Sequence, residues 1–527
     1  MAKSSGNEAL DRDCERSITK MSASQAFAHV GKLIDDSADS AFERGARRAL
    51  YLLDELAKRT LEDSESALLE YFRANAWAIL SEISETPPWS WEDPIRQEQL
   101  LALSRATNHP GFVKMDSTRR CQILTNYGNL LSSVGRMVDA IALWDRALEI
   151  VPQFAMARGN RGLGLRIYAG MLSDDMERAI MLLHAFEGLR SATAEDALHD
   201  SDQNGRALSF FYNYAREIAS VANIDRISKL EERVRSPKAR SNVERRHRNW
   251  CQQHRLFLCP LNELGSHPAG SSDNLMLPAL TERIGERVNG HLPPPIFGFF
   301  NQMKQEYVSA RFNLFEGIDS TQLHFSDRQV ALTDTLDYPL FSLASERIRT
   351  AFRVTYSLLD KVAYFVNWHW KLGKELKLIS FKNVWLTEKK STLLPQFEEC
   401  ANLPLRGLFW LSKELFDDRL KQTTSADSME LHSIRNAIEH GYLRVHEGWA
   451  KPFMLNEDSP QHPGLVIGSD ELEDKAIRVT QMARSALLYL TFAIAVEERR
   501  KHEGGPETLT GVMPLVSLKN SRRRRDP

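Results

Sequence analysis

The sequence predicts an all-α protein, in which an N-terminal array of helical repeats is followed by a C-terminal four-helix bundle. Between about Ser22 and Ser220, apolar residues recur with the 3.6-residue period of a helix, and the alternation typical of strands is nearly absent. Beyond Tyr338, four more apolar helical segments are predicted, at about Phe341–Leu372, Leu403–Leu420, Met429–Val445 and Glu471–Arg500. Hydrophobic residues make up 42% of the 527-residue chain, which is enough for sizeable cores.

The composition argues against several classes of protein. The 68 Lys and Arg residues nearly balance the 70 Asp and Glu residues, so no global charge attracts a polyanion. Five scattered cysteines do not make a disulfide scaffold. The N-terminus lacks the apolar core of a signal peptide, and the longest apolar run, starting at Ala486, is about half the length of a membrane span. We therefore expect a cytoplasmic protein without membrane contact.

The clearest repeat unit runs from Asn126 to Gln153. Small residues (Gly128, Ala140, Ala147) alternate there with large ones (Tyr127, Leu131, Trp144), and Pro152 closes the second helix. Small residues let two antiparallel helices approach, and the large ones fill the groove between them. This pattern resembles a tetratricopeptide (TPR) repeat.

Two further segments, Ala157–Leu189 and Ala41–Ile83, are more divergent candidates for the same unit. At least three units are expected because a single hairpin cannot bury its own faces. The loop Glu85–Pro94 interrupts the array. We therefore assign residues 22–225 to TPR-like repeats, preceded by a flexible N-terminus at 1–21, and we expect the repeats to bind a protein or peptide.

Residues 226–337 are predicted to be a connector. Its first part, Arg226–Arg255, is a basic bridge with ten Lys or Arg residues and three Glu residues. Such a run either contacts nucleic acid or forms a solvated surface. The part from Leu256 to Asp337 is rich in Gly and Pro, and we expect an irregular chain whose aromatic residues Phe297, Phe299 and Phe300 dock on neighbouring helices.

The third bundle helix contains the stretch SIRNAIEHGYL, from Ser433 to Leu443. Its apolar residues Leu431, Ile434, Ile438, Tyr442 and Val445 are spaced by three and four, so they form one buried face. At about 100° per residue, Arg435 lies at the edge of that face, whereas Asn436 and His440 lie one above the other on the opposite side. The histidine is therefore predicted to face outward.

The spacing from Arg435 through Asn436 to His440 resembles the Arg-x4-His motif of the HEPN superfamily, many of whose members are ribonucleases. The segments Asp334–Trp370, Asn402–Phe416 and Leu431–Leu443 resemble, in this order, a bacterial HEPN subfamily that carries TPR-like helices ahead of the nuclease domain, and the resemblance extends back through Gly298–Phe312. The resemblance implies a HEPN domain at 338–503, followed by a disordered basic tail at 504–527.

The resemblance further implies a metal-independent endoribonuclease without a cofactor, in a bacterial toxin or antiviral defence role. Histidine suits proton transfer near neutral pH, and the planar guanidinium of arginine suits phosphoryl oxygens. Arg435, Asn436 and His440 are then the catalytic residues, and the expected products carry a 2',3'-cyclic phosphate and a 5'-hydroxyl. Because Arg435 and His440 are about 140° apart on an ideal helix, a homodimer that shares one cleft is expected.

Three further residues are candidates for supporting roles. Asp360, in the first bundle helix, either supports the arginine or histidine or is a surface or capping residue. Arg406 either meets a phosphate or forms a structural ion pair. Glu439 either belongs to the site or forms an ordinary i,i+4 ion pair with Arg435, and His440 has the alternative role of an imidazolium at a helix C-terminus.

Two competing hypotheses complete the prediction. His247, Cys251, His254 and Cys259 suggest zinc, but their spacing fits no familiar finger and Cys259 falls off the face shared by the other three, so no metal is expected. The alternative function is that of a non-catalytic scaffold, in which the TPR-like array binds a protein and the HEPN bundle dimerises.

Overall fold

The computed structural model describes residues 10–87, 90–199, 205–280, 295–334, 338–387, 392–398, 400–417, 420, 426–447 and 464–503. Besides a short helical segment at 10–15, the helices before residue 280 in these ranges are α1 Ala23–Ser40, α2 Glu43–Ala57, α3 Asp63–Ile83, α4 Pro94–Asn108, α5 Ser117–Ser133, α6 Met137–Ile150, α7 Ala155–Met171, α8 Asp175–Ser191, α9 Gly205–Val221, α10 Ile224–Glu231 and α11 Asn242–Gln253.

Five more labelled helices follow: α12 Pro295–Ile318, α13 Leu343–His369, α14 Leu403–Phe416, α15 Ala426–His440 and α16 Ser469–Glu503. Two short strands, β1 Leu443–His446 and β2 Leu465–Gly468, form a parallel pair in which Leu443 is opposite Leu465. Short helical turns connect these elements, at Pro110–Lys114, Pro260–Leu264, Pro268–Gly270, Phe325–Asp327, Leu376–Leu378 and Pro395–Glu398. The all-α prediction is confirmed.

In the N-terminal half, successive helices from α2 to α9 pack on one another. Helices α5 and α6 form one hairpin, and α7 and α8 form the next. Each helix of the second hairpin begins 38 residues after the corresponding helix of the first, so the unit repeats. Trp144 of α6 lies over Gly128 of α5 and Gly164 of α7, and a β-carbon at either glycine would come within 2.6 Å of its ring. The large residue thus fills the groove that the small residues leave, as predicted for this unit.

Two predicted irregular regions contain ordered structure instead. Residues 10–15 are helical, and Leu10, Cys14 and Ile18 are buried against α1 to α3, so this part of the segment 1–21 is packed rather than flexible. The region predicted as an irregular connector contains the 24-residue helix α12, which packs along α13. Phe299 and Phe300 of α12 both contact Phe365, as their aromatic character indicated. Residues 1–9, and the tail at 504–527, lie outside the described residues.

The basic bridge is also partly structured, and several of its cations have partners within the chain. Helices α10 and α11 lie in it, Arg246 pairs with Asp319 at 2.8 Å, and Arg255 pairs with Asp145 at 2.5 Å. These two guanidinium groups therefore hold the bridge on neighbouring elements, which favours the structural reading of at least this part of the charge run.

The C-terminal half is a bundle of α13, α14, α15 and α16, with α12 added along α13 and α16. The hydroxyl of Ser342 caps α13 by accepting from the Ser345 N–H, and Asn402 caps α14 by accepting from the Leu405 N–H. Helix α16 is long and apolar enough to cross a membrane, yet 89% of its most apolar window is buried inside the protein. It is the central helix of this bundle.

The two halves share one hydrophobic core. Trp91, in the loop that interrupts the N-terminal array, is only 1% exposed, stacks on Phe397 with ring centroids 5.0 Å apart, and donates to the carbonyl of Cys400 at 2.9 Å. Arg136, at the start of α6, forms a buried ion pair with Glu414 of α14. The array is therefore built onto the bundle through buried contacts rather than tethered to it.

Candidate active site

Helix α15 carries the Arg435, Asn436 and His440 motif and turns its apolar side to the bundle. Leu431 and Ile434 are buried, and the helix contacts α13, α14 and α16. The last helical hydrogen bond runs from the Gly441 N–H to the Ala437 carbonyl at 3.2 Å. The helix thus ends at His440, whereas the sequence predicted that it continues to Val445.

The reason for this early end is the strand pair that follows. Val445 belongs to β1, and the Tyr442 carbonyl accepts from the Leu465 N–H at 2.9 Å. Gly464, which precedes β2, has φ +108°, and a β-carbon there would lie 2.2 Å from the Tyr442 oxygen. The glycine permits a close approach that no other residue could make without strain. Tyr442 and Val445 continue the helical spacing of apolar residues, but both lie after the end of the helix, Tyr442 just before β1 and Val445 within it.

Arg435 is held by its neighbours on the same helix. Its Nη1 donates to Asn436 Oδ1 at 3.1 Å, and Asn436 Nδ2 is 3.1 Å from His432 Nε2. Because the arginine can only donate, the amide oxygen faces it, and the amide nitrogen donates to His432. His432 Nε2 must then accept, which requires the neutral imidazole. His432 was not among the predicted residues, although its position one turn before Asn436 places it on the same face.

Asp360 and Tyr356, on α13, lie in the electrostatic range of Arg435. Burial raises the pKa of the Asp360 carboxyl, while the hydrogen bond from the Phe381 N–H and the charge of Arg435 act in the opposite direction. Burial likewise raises the pKa of the Tyr356 hydroxyl, and Arg435 again opposes this shift. The structure therefore brings Asp360 towards the arginine of the motif, where its Oδ1 also accepts from Phe381 at 2.8 Å.

His440 and Glu439 occupy the exposed end of the motif helix. Among the described residues, no hydrogen bond or ion pair reaches either side chain. The predicted alternative of an Arg435–Glu439 ion pair is not formed, since Arg435 turns to Asn436 instead. The imidazole is thus accessible to a ligand from solvent, as the helical phase predicted.

A cleft of about 170 Å³ opens beside His440, between α13 and the end of α15. On α13 it is lined by Glu346, Arg349, Thr350 and Arg353. On the other side it is lined by the last turn of the motif helix and the chain that follows, at Ala437, Ile438, Gly441, Tyr442 and Leu443. Gly441 directly follows His440 in the chain, so the cleft adjoins the end of the motif helix, while the His440 side chain itself is not part of the described lining.

Arg406 does not belong to this site. It is 4% exposed, and its guanidinium donates to the Ser133 carbonyl at the turn between α5 and α6. Burial, together with the positive charge of Arg96, lowers its pKa to about 10. The prediction that Arg406 meets a phosphate is wrong for this structure, because the side chain is enclosed by the packing of the two halves.

The four residues of the zinc hypothesis do not converge. Cys251 Sγ lies 3.3 Å from His247 Nε2, but Cys259 contacts the Ala269 carbonyl, and His254 packs against Trp250. Burial raises the pKa of both thiols to about 12, so neither forms a thiolate readily. Four ligands around one ion are therefore not available from this set.

A different set, His184, Glu231 and His267, does bring three metal-type ligands within 4.8 Å of one another. Both Nε2 atoms lie 2.7 Å from the same oxygen of Glu231. However, His267 Nδ1 accepts from the Ala269 N–H, so the ring proton must be on Nε2, which then donates to Glu231. A nitrogen that binds a metal must offer a lone pair, and the second ring nitrogen of such a histidine usually carries a proton and donates it in a hydrogen bond. His267 has the opposite arrangement on both nitrogens. The arrangement fits a hydrogen-bonded cluster that joins α8, α10 and the connector.

The comparison with protein families agrees with this geometry. Residues 287–497 match the LA2681-like HEPN family. This region is a HEPN domain. It begins before residue 338, the boundary predicted from the sequence. The domain therefore includes α12, and it contains the whole motif helix α15.

The chain is also similar to Mediator of RNA polymerase II transcription subunit 14 of Aspergillus niger (strain ATCC MYA-4892 / CBS 513.88 / FGSC A1513). It is 26% identical over 130 residues, which make up 23% of this chain and 11% of that protein. The chain thus spans about a tenth of that relative's length. No solved structure matches this chain.

Proposed function

We propose that this chain is a metal-independent endoribonuclease, and that Arg435, Asn436 and His440 of its HEPN domain form the active site. The observation that carries the proposal is the arrangement on α15: a solvent-exposed imidazole at the helix end, five residues after an arginine that Asn436 holds in place. Fixed positive charge and an accessible proton carrier are what cleavage by a neighbouring hydroxyl requires.

In the proposed reaction, the ribose 2'-oxygen attacks the adjacent phosphorus. The bond between phosphorus and the 2'-oxygen forms, and the bond to the 5'-oxygen breaks. His440 accepts the proton of the 2'-hydroxyl, and an acid delivers a proton to the departing 5'-oxygen. The products then carry a 2',3'-cyclic phosphate and a 5'-hydroxyl.

Arg435 is proposed to stabilise the charge on the phosphoryl oxygens. An arginine has five N–H donors in a planar fork, and the bond to Asn436 fixes the orientation of this fork. Asp360 is proposed as a supporting residue, because its carboxyl lies close enough to influence Arg435 electrostatically. Glu439 is exposed beside His440, and it is proposed as a second supporting residue.

We further propose that two copies of the chain pair through their HEPN domains. Arg435 and His440 are about 140° apart around an ideal helix, so one copy presents them in different directions. A two-fold interface that joins two motif helices would combine His440 of one copy with Arg435 of the other in a single cleft. The second proton carrier of the reaction would then be the histidine of the partner.

The N-terminal array is proposed to bind a protein or peptide and thereby regulate the nuclease, in a cytoplasmic toxin or antiviral defence role. The buried contacts of Trp91 and Arg136 with the HEPN domain support this regulation, because a change in the array reaches α14 directly. For binding at the array to change the activity of the HEPN domain, the contacts of Trp91 and Arg136 must have two arrangements, and the ligand must bind one of them more tightly.

The test is cleavage of total RNA and of a labelled RNA oligonucleotide by the full chain in EDTA. The wild-type protein is expected to cleave and to leave cyclic phosphate ends. His440→Ala is expected to lower the rate roughly 10²-fold or more, since general acid–base catalysis typically contributes that much. Arg435→Lys keeps the charge but loses the fork, and it is expected to lower kcat as well.

His199→Ala is the matched control, because His199 is exposed and lies outside the HEPN domain. It is expected to cleave like the wild type. Equal cleavage by the wild type and His440→Ala, or inhibition by EDTA, would contradict the proposed mechanism. If neither protein cleaves, with or without candidate protein activators, the non-catalytic scaffold is favoured.

A further inference from the structure

The cleft beside His440 contains two arginines that the proposed catalytic site does not use. Arg349 and Arg353 are four residues apart on α13, so their side chains lie one turn apart on the same face of the helix. Thr350 lies between them and adds a hydroxyl to the lining. The opposite wall is the last turn of the motif helix, which ends in His440.

The two arginines differ in how they are held. Arg349 is fixed, because its Nη1 pairs with Glu346 at 2.8 Å and its Nη2 donates to the Leu443 carbonyl at 3.1 Å. Arg353 is exposed, and within the described part of the chain no carboxylate pairs with it. Glu346 is the one acidic residue that lines the cleft, and it is engaged by Arg349. Within the described residues, the positive charge of Arg353 therefore has no acidic partner in the cleft.

We propose that Arg353, supported by Arg349 and Thr350, binds a backbone phosphate of the RNA next to the scissile bond. This inference rests on the proposed function, because it assumes that the RNA strand bound at Arg353 on α13 continues to the catalytic His440. Arg353 is a positioning residue in this proposal, and it takes no part in proton transfer.

The polarity of the cleft favours a phosphate group as its ligand, and its size excludes a whole nucleotide. Sites for drug-sized ligands usually measure about 300–1,000 Å³. The volume of about 170 Å³ is too small for a nucleotide but sufficient for a phosphate group. A guanidinium suits the tetrahedral phosphate better than a single ammonium does, because two of its N–H groups can donate in parallel. Phosphate contacts set register and orientation without reading sequence.

The inference can be tested by RNA binding that does not depend on cleavage. In the full chain with His440→Ala, Arg353→Ala is expected to weaken the affinity for a labelled single-stranded RNA about three- to tenfold. The slope of log K against log salt is expected to fall by about 0.7, the value for one phosphate contact on a single strand. Arg353→Lys is expected to retain most of this slope, since the positive charge remains.

Arg206→Ala, at an exposed arginine of α9 outside the basic bridge and the HEPN domain, is the matched control and is expected to leave both the affinity and the slope unchanged. With His440 intact, Arg353→Ala is expected to raise KM three- to tenfold while kcat stays within about twofold.

Cleavage by the wild type combined with unchanged affinity, slope and KM in Arg353→Ala would overturn this inference and leave the proposed function intact. If the wild type neither binds nor cleaves RNA, the proposed function fails, and this inference fails with it. Unchanged thermal melting of Arg353→Ala confirms that the effect is local.

Discussion

At the residue scale, the motif helix shows how neighbours on one helix determine what each side chain does. An arginine in the i,i+4 position to a glutamate would ordinarily form an ion pair. Arg435 instead bonds to the adjacent Asn436, which in turn bonds to His432. The sequence predicted Arg435, Asn436 and His440 correctly as residues of one helix, but the proximity of Asp360 and Tyr356, which come from another helix, appeared only in the structure.

A pH-dependent contribution to stability is expected at Glu177, in the first turn of α8. Burial raises the pKa of this carboxyl from 4.5 to about 7, against the opposing effect of its hydrogen bond from Asn274. The folded protein thus binds this proton more tightly than the unfolded chain does. The stabilisation is complete below about pH 4.5 and is lost as the pH rises through about 7.

Glu177→Gln retains an oxygen for the bond from Asn274 and removes the titration. The variant is expected to match the wild type near pH 4.5 and to exceed its free energy of unfolding at pH 8 by on the order of 2 kcal/mol. The helix dipole favours the charged wild-type carboxylate by only about 0.3–1 kcal/mol, which reduces the difference without reversing it. Urea unfolding at both pH values measures this, with exposed Glu92→Gln as the control. A variant that is less stable than the wild type at pH 8 would contradict the expectation.

At the scale of elements, two glycines allow the backbones of the two halves to approach closely. Gly135, in the turn between α5 and α6, has φ +92°, and Gly407 lies on α14. A β-carbon on Gly407 would lie 2.3 Å from the Gly135 carbonyl oxygen. The oxygen belongs to the backbone and the β-carbon is attached directly to it, so neither atom can move away by rotation of a side chain. The contact thus depends on the absence of a side chain.

Gly407→Ala is therefore expected to destabilise the protein by about 1–3 kcal/mol, the usual range for overpacking, although alanine is the better helix former. The matched control is Gly298→Ala in α12, where no atom lies within 4 Å of the added β-carbon. This control is expected to be stabilised by about 0.5–1 kcal/mol, because alanine is favoured over glycine inside a helix. Denaturant unfolding compares the two, and a stabilised Gly407→Ala would show that the halves are not packed as described.

The strand pair β1–β2 is the element that sequence periodicity missed. Its strands have four residues each, too few for alternation to stand out, and Tyr442 and Val445 fit the helical spacing equally well. Their partner, β2, begins about twenty residues later in the chain, beyond the reach of any local pattern. Helix α12 was missed for another reason, since the Pro and Gly residues before it suggested an irregular chain.

At the scale of the whole molecule, buried ion pairs join the connector and the array to the HEPN domain. Arg484, on the central helix α16, pairs with Glu263 of the connector at 2.6 Å and donates to the carbonyls of Phe257 and Cys259. The side chains of both partners are at most 2% exposed. Loss of one partner would leave the other charge in a low-dielectric interior.

Arg484→Met is therefore expected to lower the free energy of unfolding by about 3–5 kcal/mol, as for other buried pairs that lose one member. The double variant Arg484→Met with Glu263→Gln is expected to recover part of this loss, because it removes the buried charge as well. A double-mutant cycle by denaturant unfolding measures the coupling. Strictly additive effects would show that the pair is not coupled in the folded protein. Arg255 lies 3.9 Å from the other oxygen of Glu263. Because it still offers a positive charge to this carboxylate, it limits the stability that Arg484→Met loses.

The sequence by itself determined the helical class, the order of repeats and bundle, and the helix that carries Arg435, Asn436 and His440, because these follow from the spacing of apolar residues along a short stretch. Only the tertiary structure decided that Arg406 is enclosed, that Trp91 anchors the array on the bundle, and that Arg349 and Arg353 line a cleft beside His440. These outcomes depend on contacts between residues tens to hundreds of positions apart. Local periodicity states which face of a helix is buried, but it does not state which partner covers it.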